Sequence, residues 1–205
     1  MTSWPSAGEN AVRIERGVTA FFGSGGKTTL IDRLAQELTG TVIVCTSTHI
    51  YPAKNLPFFQ EIREKITENC CVGTPTDHGK LTAPQQSFEE LAALADYVLV
   101  EADGSKGLPL KAHLPHEPVI PACANQVIQV VGLSGLGKPI KEAVHRPERF
   151  AELCGCTVED LATPERVAKV LNTEALADLY VLTQTGQGRE LAGLLHAECK
   201  MLHAE

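Results

Sequence analysis

Residues 18–38 impose the tightest constraint on what this chain folds into. Val18 to Phe22 is a short apolar, β-prone run, and Gly23-Ser24-Gly25-Gly26-Lys27-Thr28-Thr29 follows without a break. Leu30, Leu34 and Leu38 then recur at helical spacing until Gly40, a residue suited to ending a helix. Strand, glycine-rich loop, helix is the order that turns backbone N–H groups toward a phosphate. Glycines allow those groups to point inward without side-chain clashes. The helix adds its own unsatisfied N–H groups and the positive end of its dipole. The pattern implies that Gly23, Ser24, Gly25, Gly26 and Thr29 cradle the phosphates of ATP or GTP. Lys27 reaches the β- and γ-phosphates, and Thr28 gives its hydroxyl to Mg²⁺. One departure is visible: the general pattern GxxxxGK[ST] opens with a glycine at what is position 21 here, and Phe21 occupies it.

A phosphate loop works with a second strand that ends in an acidic residue near Mg²⁺. Tyr97 to Ala102 reads as that strand, and period-two alternation puts Glu101 and Asp103 on one side. One suits the metal and the other suits orienting a nucleophile, with the assignment open; the alternative is two solvated carboxylates at a strand end. Lys27, Glu101 and Asp103 are therefore the catalytic candidates, and Thr28, Glu101 and Asp103 the metal candidates. Lys106 and Lys111 follow on a turn, as phosphate or substrate ligands or as solvated lysines. Thr46, Thr48 and His49 follow another strand, Thr41 to Thr46, and either face the γ-phosphate or form an ordinary loop. His113, His116 and Glu117 resemble a metal trio, but Pro115 and Pro118 break any helical presentation, and a proline-rich loop is the better reading.

Elsewhere, a helix is expected over residues 58–68, a strand over 70–73, and a turn-rich loop over 74–80. Ser87 with Glu90 forms a capping box for a helix running to about residue 95. A strand is expected over 127–132, and helices over 147–153 and 164–171 open on prolines. A last strand over 179–183 and a last helix over 189–201 complete the reading. Alternating strands and helices predict an α/β fold with a mostly parallel sheet flanked by helices in three layers. The 205 residues suit a single domain over 18–205 after a lead-in over 1–17.

Composition narrows the partners. The formal net charge of -7 argues against nucleic acid, which wants a basic face, but leaves room for a small basic pocket. The longest apolar runs fall far short of the ~20 residues that cross a bilayer, and residues 1–10 contain no apolar signal core. A cytoplasmic protein with no membrane partner is expected. The seven cysteines read as reduced, mostly buried thiols; Cys154-Gly155-Cys156 offers half a metal site that no second pair completes.

Taken together, Phe22 to Thr29, Thr46-Ser47-Thr48-His49, Glu101 to Lys111, His116 to Pro121, Gly135 to Pro139 and His145-Arg146-Pro147-Glu148 closely resemble the YqeC family. The resemblance spans residues 18–170 and is most specific at Glu101-Ala102-Asp103-Gly104-Ser105-Lys106-Gly107. It implies a P-loop NTPase-like fold and an accessory role in maturing a selenium-dependent molybdenum hydroxylase or its cofactor. A molybdopterin-type cofactor or an apo-hydroxylase would then be the partner. Lys27, Thr28, Glu101, Asp103, Lys106 and Lys111 carry over, and the family's loop also lacks the first glycine. His145 and Arg146 match a family motif, with Arg146 reaching a phosphate or second substrate, or pairing with a carboxylate. Leu182 to Gly186 lacks the Asn-Lys-x-Asp of guanine-specific proteins, and the short C-terminal end suggests a sheet one strand smaller.

Two functions compete. One is Mg²⁺-dependent NTP hydrolysis or phosphoryl or nucleotidyl transfer. The other is a nucleotide-dependent switch or chaperone, in which the 46–51 loop orders and docks a partner. A direct selenium role through Cys123 is disfavoured.

Overall fold

The computed structural model describes residues 12–184 and 188–201. The expected lead-in over residues 1–17 therefore lies largely outside the described residues. The chain runs β1 (Gly17–Gly23), α1 (Lys27–Glu37), β2 (Val42–Thr46), β3 (His49–Ile50), β4 (Phe58–Phe59), β5 (Cys70–Val72), β6 (Thr74–Pro75), β7 (Leu81–Thr82) and α2 (Phe88–Leu94). It continues through β8 (Tyr97–Glu101), β9 (Leu110–Lys111), β10 (Gln126–Gly132), α3 (Ile140–Ala143), β11 (Val144–His145), α4 (Pro147–Cys154) and α5 (Pro164–Glu174). It ends with β12 (Leu179–Thr183), α6 (Gly188–Leu194) and β13 (Glu198–Met201).

Eight strands form one parallel sheet in the order β13-β12-β10-β1-β8-β2-β5-β4. Central strands of such a sheet are covered on both faces and read as continuous apolar runs, and every residue of β2 is buried. Alternation along each strand divides the core. Phe21, Val44, Leu99 and Ile128 pack under the Leu30, Ile31, Leu34 and Ala35 face of α1. Val18, Ile43, Val98 and Val100 pack on Leu91 of α2. Val131, Tyr180 and Leu182 meet Phe150, Val167 and Leu171 of α4 and α5. The result is the expected three-layer α/β arrangement. Strand β1 sits between β8 and β10, so the loop after it opens where the chain crosses from one half of the sheet to the other. Open parallel sheets bind ligands at such points.

Local signals that depend on neighbouring residues hold. The Ser87 hydroxyl accepts from the Glu90 N–H, and the Glu90 carboxylate accepts in return from the Ser87 N–H. Pro147 and Pro164 open their helices.

Two expectations fail for a shared reason. The helix expected over 58–68 is absent: Phe58 and Phe59 pair with β5 as an edge strand. The residues after them give their backbone groups to distant partners. Ile62 N–H donates to the Gln86 side chain, whose amide donates back to the Ile62 carbonyl, and Ile66 N–H donates to the Leu94 carbonyl. Ile62 and Ile66 do pack on the core, so their four-residue spacing mimics a helix. The helix expected over 189–201 ends at Leu194. Asn172 donates to the Leu194 carbonyl and accepts from the His196 N–H, and β13 then pairs with β12. The sheet therefore gains the strand that the short C-terminal end seemed to deny it. Among the described residues no helix is long and apolar enough to cross a membrane.

Candidate functional site

The loop between β1 and α1 is fixed from below by the end of β10. Ser24 N–H donates to the Val130 carbonyl at 2.9 Å, and the Ser24 hydroxyl donates to the Pro109 carbonyl at 2.8 Å. Thr183 donates its hydroxyl to the Gly25 carbonyl. Gly25 has φ +80°, and a Cβ on it would lie 2.3 Å from the Gly132 Cα, so two backbones touch where no side chain fits. Gly26 caps α1 in the left-handed region, at φ 108°. Phe21, which stands where the general pattern has its first glycine, lies inside β1. It is paired with Glu101 on one side and Ile128 on the other, and is fully buried. The flexible part of the loop thus begins at Gly23.

Glu101 and Asp103 both face this loop, and they have different surroundings. Thr28 donates its hydroxyl to Glu101 at 3.1 Å, and the Lys27 ammonium lies 3.1 Å from Glu101 and 3.0 Å from Asp103. Lys27 also donates to the Asp103 carbonyl at 2.6 Å. Asp103 is 1% exposed. Its carboxylate accepts the Gly23 N–H at 3.1 Å on both oxygens, the Lys111 ammonium at 2.7 Å and His113 Nε2 at 3.2 Å. On the far side of the ring, His113 Nδ1 meets Glu174 at 2.8 Å, and the His113 N–H donates to the same carboxylate at 2.6 Å. The order Glu174, His113, Asp103, Lys27 is a continuous buried chain that ends at the loop lysine.

Electrostatics follow from that enclosure. Burial alone would raise the Asp103 pKa, but the His113 hydrogen bond and the charges of Lys27 and Lys111 outweigh it and hold the carboxyl well below its usual range. Burial would lower the His113 pKa, yet its bonds to Asp103 and Glu174 raise it. Burial opposes charge on Lys27 as well, and the charges of Asp103 and Glu101 reverse that and raise its pKa.

Above the loop is a cavity of about 640 Å³. Gly25, Gly26, Lys27, Thr28, Thr29 and Glu101 form its floor, and His49, Tyr51, Lys54, Lys80 and Lys106 contribute to its walls. The antiparallel sheet β3-β7-β6 carries part of that wall. Thr48 N–H donates to the Thr46 hydroxyl, which donates to the Glu101 carbonyl at 2.7 Å. That contact ties the 46–49 segment to the carboxylate strand.

Some candidates stand away from the cavity. Lys111 is fully buried and bonds Asp103 and the Gly104 carbonyl, with Glu117 at 3.5 Å. Arg146 pairs with Glu117 at 3.2 Å, as its carboxylate-pairing alternative had it. His145 lies beside Lys111 in the β9–β11 ladder. His116 is exposed and joins neither His113 nor Glu117 in a cluster; among the described residues no group of three or more His, Cys, Asp or Glu is placed to hold a metal. Cys123 packs against the α2 side of the sheet, whereas Cys154 and Cys156 bring their sulfurs to 3.0 Å. Gln184 lines the cavity, whereas Thr185 and Gly186 lie outside the described residues. Sequence reading missed Glu174, which comes 61 positions after His113 and carries no motif. It also missed Asp32, Lys54 and Lys80. For Asp32, the signal was its place one turn beyond Thr28 on α1.

A family model described as YqeC protein matches residues 19–148. The uncharacterized protein YqeC of Escherichia coli (strain K12) is 32% identical over 197 residues, covering 83% of this chain and 69% of that protein. No solved structure matches the chain.

Proposed function

The chain belongs to the YqeC family, and from that starting point we propose that it binds a nucleoside triphosphate with Mg²⁺ and uses it in phosphoryl or nucleotidyl transfer or hydrolysis. One observation carries this reading. A lysine at a helix N-terminus is held between two carboxylates at the carboxyl edge of a parallel sheet, and the next residue's hydroxyl bonds one of them.

The oxygen donors fit the metal. The Thr28 hydroxyl and the Glu101 carboxylate, 3.1 Å apart, are hard ligands, and Mg²⁺ is normally held by one or two protein groups plus phosphates and water. When bound, Mg²⁺ would supply neutralisation of charge on the phosphate oxygens. The protein's own part is positioning. The N–H groups of Gly23 and Ser24, expected to cradle phosphates, are instead held by Asp103 and the Val130 carbonyl. The loop from Gly25 onward therefore orients the phosphates, and Lys27 is kept charged by Asp103 and Glu101 for release to the β/γ oxygens. Both oxygens of Asp103 are occupied by Gly23, Lys27, Lys111 and His113. Its role in this reading is to set Lys27 and the loop, leaving Glu101 for the metal.

The resemblance carried by Glu101 to Lys111 supports placing this activity in maturation of a selenium-dependent molybdenum hydroxylase or its cofactor. Seven free cysteines support a reducing, cytoplasmic setting. One feature favours the switch reading instead: Tyr51, on the cavity wall, is 68% exposed, a side chain that a partner enzyme would cover once nucleotide ordered the segment.

Titration calorimetry of ATP and GTP, with and without Mg²⁺, tests the core of the proposal. Binding that disappears in Lys27→Ala is expected, and the tighter nucleotide identifies the base. Absence of binding by either nucleotide overturns it. Turnover with a molybdopterin-type substrate separates the enzyme from a switch, which would instead capture apo-hydroxylase with little turnover.

A further inference from the structure

The cavity holds more positive charge than the phosphate loop requires. Lys27 is already matched by Glu101 and Asp103. Lys54, Lys80 and Lys106 line the same space from three different segments. Among the described residues none of the three has a salt bridge: Lys54 acts on Asp32 through space, and the Lys80 ammonium lies 5.1 Å from the centre of the Tyr51 ring. Asp32 is the carboxylate that lines the cavity on this side. Counting Lys27 and Glu101, four ammonium groups line the cavity against two carboxylates, a local reversal in a chain whose net charge is -7. Like charges gathered around one void repel each other until an anion lies between them.

The cations on the wall are of one kind. The cavity lining contains lysines and no arginine among the described residues. Lysines bind phosphate as point charges with three rotatable donors each, and three of them on separate segments can converge on one phosphate group from different directions. A half-open cleft of about 640 Å³ has the size of a small-molecule site.

We propose that Lys54, Lys80 and Lys106 form an acceptor site for a phosphate-bearing small molecule, bound beside the triphosphate on the loop. The proposal rests on the triphosphate reading of that loop. It makes the protein a transferase in design, because hydrolysis needs no second anion site. The β3-β7-β6 sheet is then the substrate-recognition element, inserted between the helix-coupled strand β2 and the carboxylate strand β8.

Inorganic pyrophosphate, titrated calorimetrically into ligand-free protein, is the probe. Wild type is expected to bind two equivalents. Lys27→Ala removes one, and the double variant Lys54→Ala/Lys80→Ala weakens the other at least tenfold while leaving the first within twofold. The two lysines sit on the cavity wall rather than in the core, and an unchanged melting curve shows that the double variant is folded. One equivalent in wild type, or a second equivalent unaffected by the double variant, overturns the acceptor site. If the double variant loses an equivalent while Lys27→Ala loses none, the acceptor site stands and the loop reading fails.

Discussion

His113 and Asp103 share a 3.2 Å hydrogen bond that water does not reach, and the other nitrogen of the same ring is held by Glu174 at 2.8 Å. A histidine between two carboxylates is bound more tightly as the imidazolium, and its pKa is raised. It therefore contributes stability in full below its unfolded value of about 6.5 and loses that contribution as pH rises through the folded value. Urea unfolding of wild type and His113→Gln from pH 5.5 to 9 is expected to give curves that converge with pH. The variant should be about 1–3 kcal/mol weaker at the acid end, the range for a buried charged hydrogen bond. Parallel curves would mean that His113 has the same pKa in the folded and unfolded states. Asp103 behaves in the opposite sense: its depressed pKa supports the fold above about pH 3.9, and this support is lost as pH falls toward the folded value.

Lys27→Ala should separate binding from folding. The variant is expected to lose triphosphate binding by at least a hundredfold. Asp103 keeps Lys111 and His113, so the fold survives, at a cost of up to about 3–5 kcal/mol for breaking a buried pair. Calorimetry alongside chemical denaturation reports both numbers.

Glu101→Gln tests the division between the two carboxylates. It should reduce Mg²⁺-dependent nucleotide affinity at least tenfold while changing Mg²⁺-free affinity little. Equal losses in the two titrations would remove Glu101 from the metal shell.

Gly132→Ala tests the contact under the loop. The added Cβ would meet the Gly25 Cα and the Pro109 carbonyl, each at 2.8 Å, and both are backbone that cannot swing aside. A loss of about 1–3 kcal/mol in stability is expected, as for overpacking elsewhere, with weaker nucleotide binding. Full binding would show that the loop tolerates displacement.

The strand–glycine loop–helix unit, the carboxylate strand and the capped helices were legible because each is written in adjacent residues. Glu101 and Asp103 were found together, but nothing local distinguishes the residue that bonds Thr28 from the one enclosed by Lys111 and His113. That difference depends on burial. Glu174 was invisible because an acidic residue at a helix end has many ordinary uses, and its partner is 61 positions away. Ile62 and Ile66 misled for the converse reason: their spacing is helical, yet side chains and carbonyls of α2 and its approach claim the backbone groups that a helix would use. In sequence His113 has the neighbours of a metal ligand, whereas its partners in space are the carboxylates of Asp103 and Glu174.

The contact between Thr183 and the Gly25 carbonyl bears on how the molecule is born. Synthesis proceeds from the N-terminus, and domains settle as their segments emerge. Here the loop is made before its supports, which arrive in turn: Asp103, then Val130 and Gly132, then Glu174, and finally Thr183. Between synthesis of β1 and of β12 the glycine-rich loop has an incomplete floor. A nascent chain halted before β12 would be expected to hold much of its sheet while its glycine-rich loop lacks the contact that Thr183 supplies.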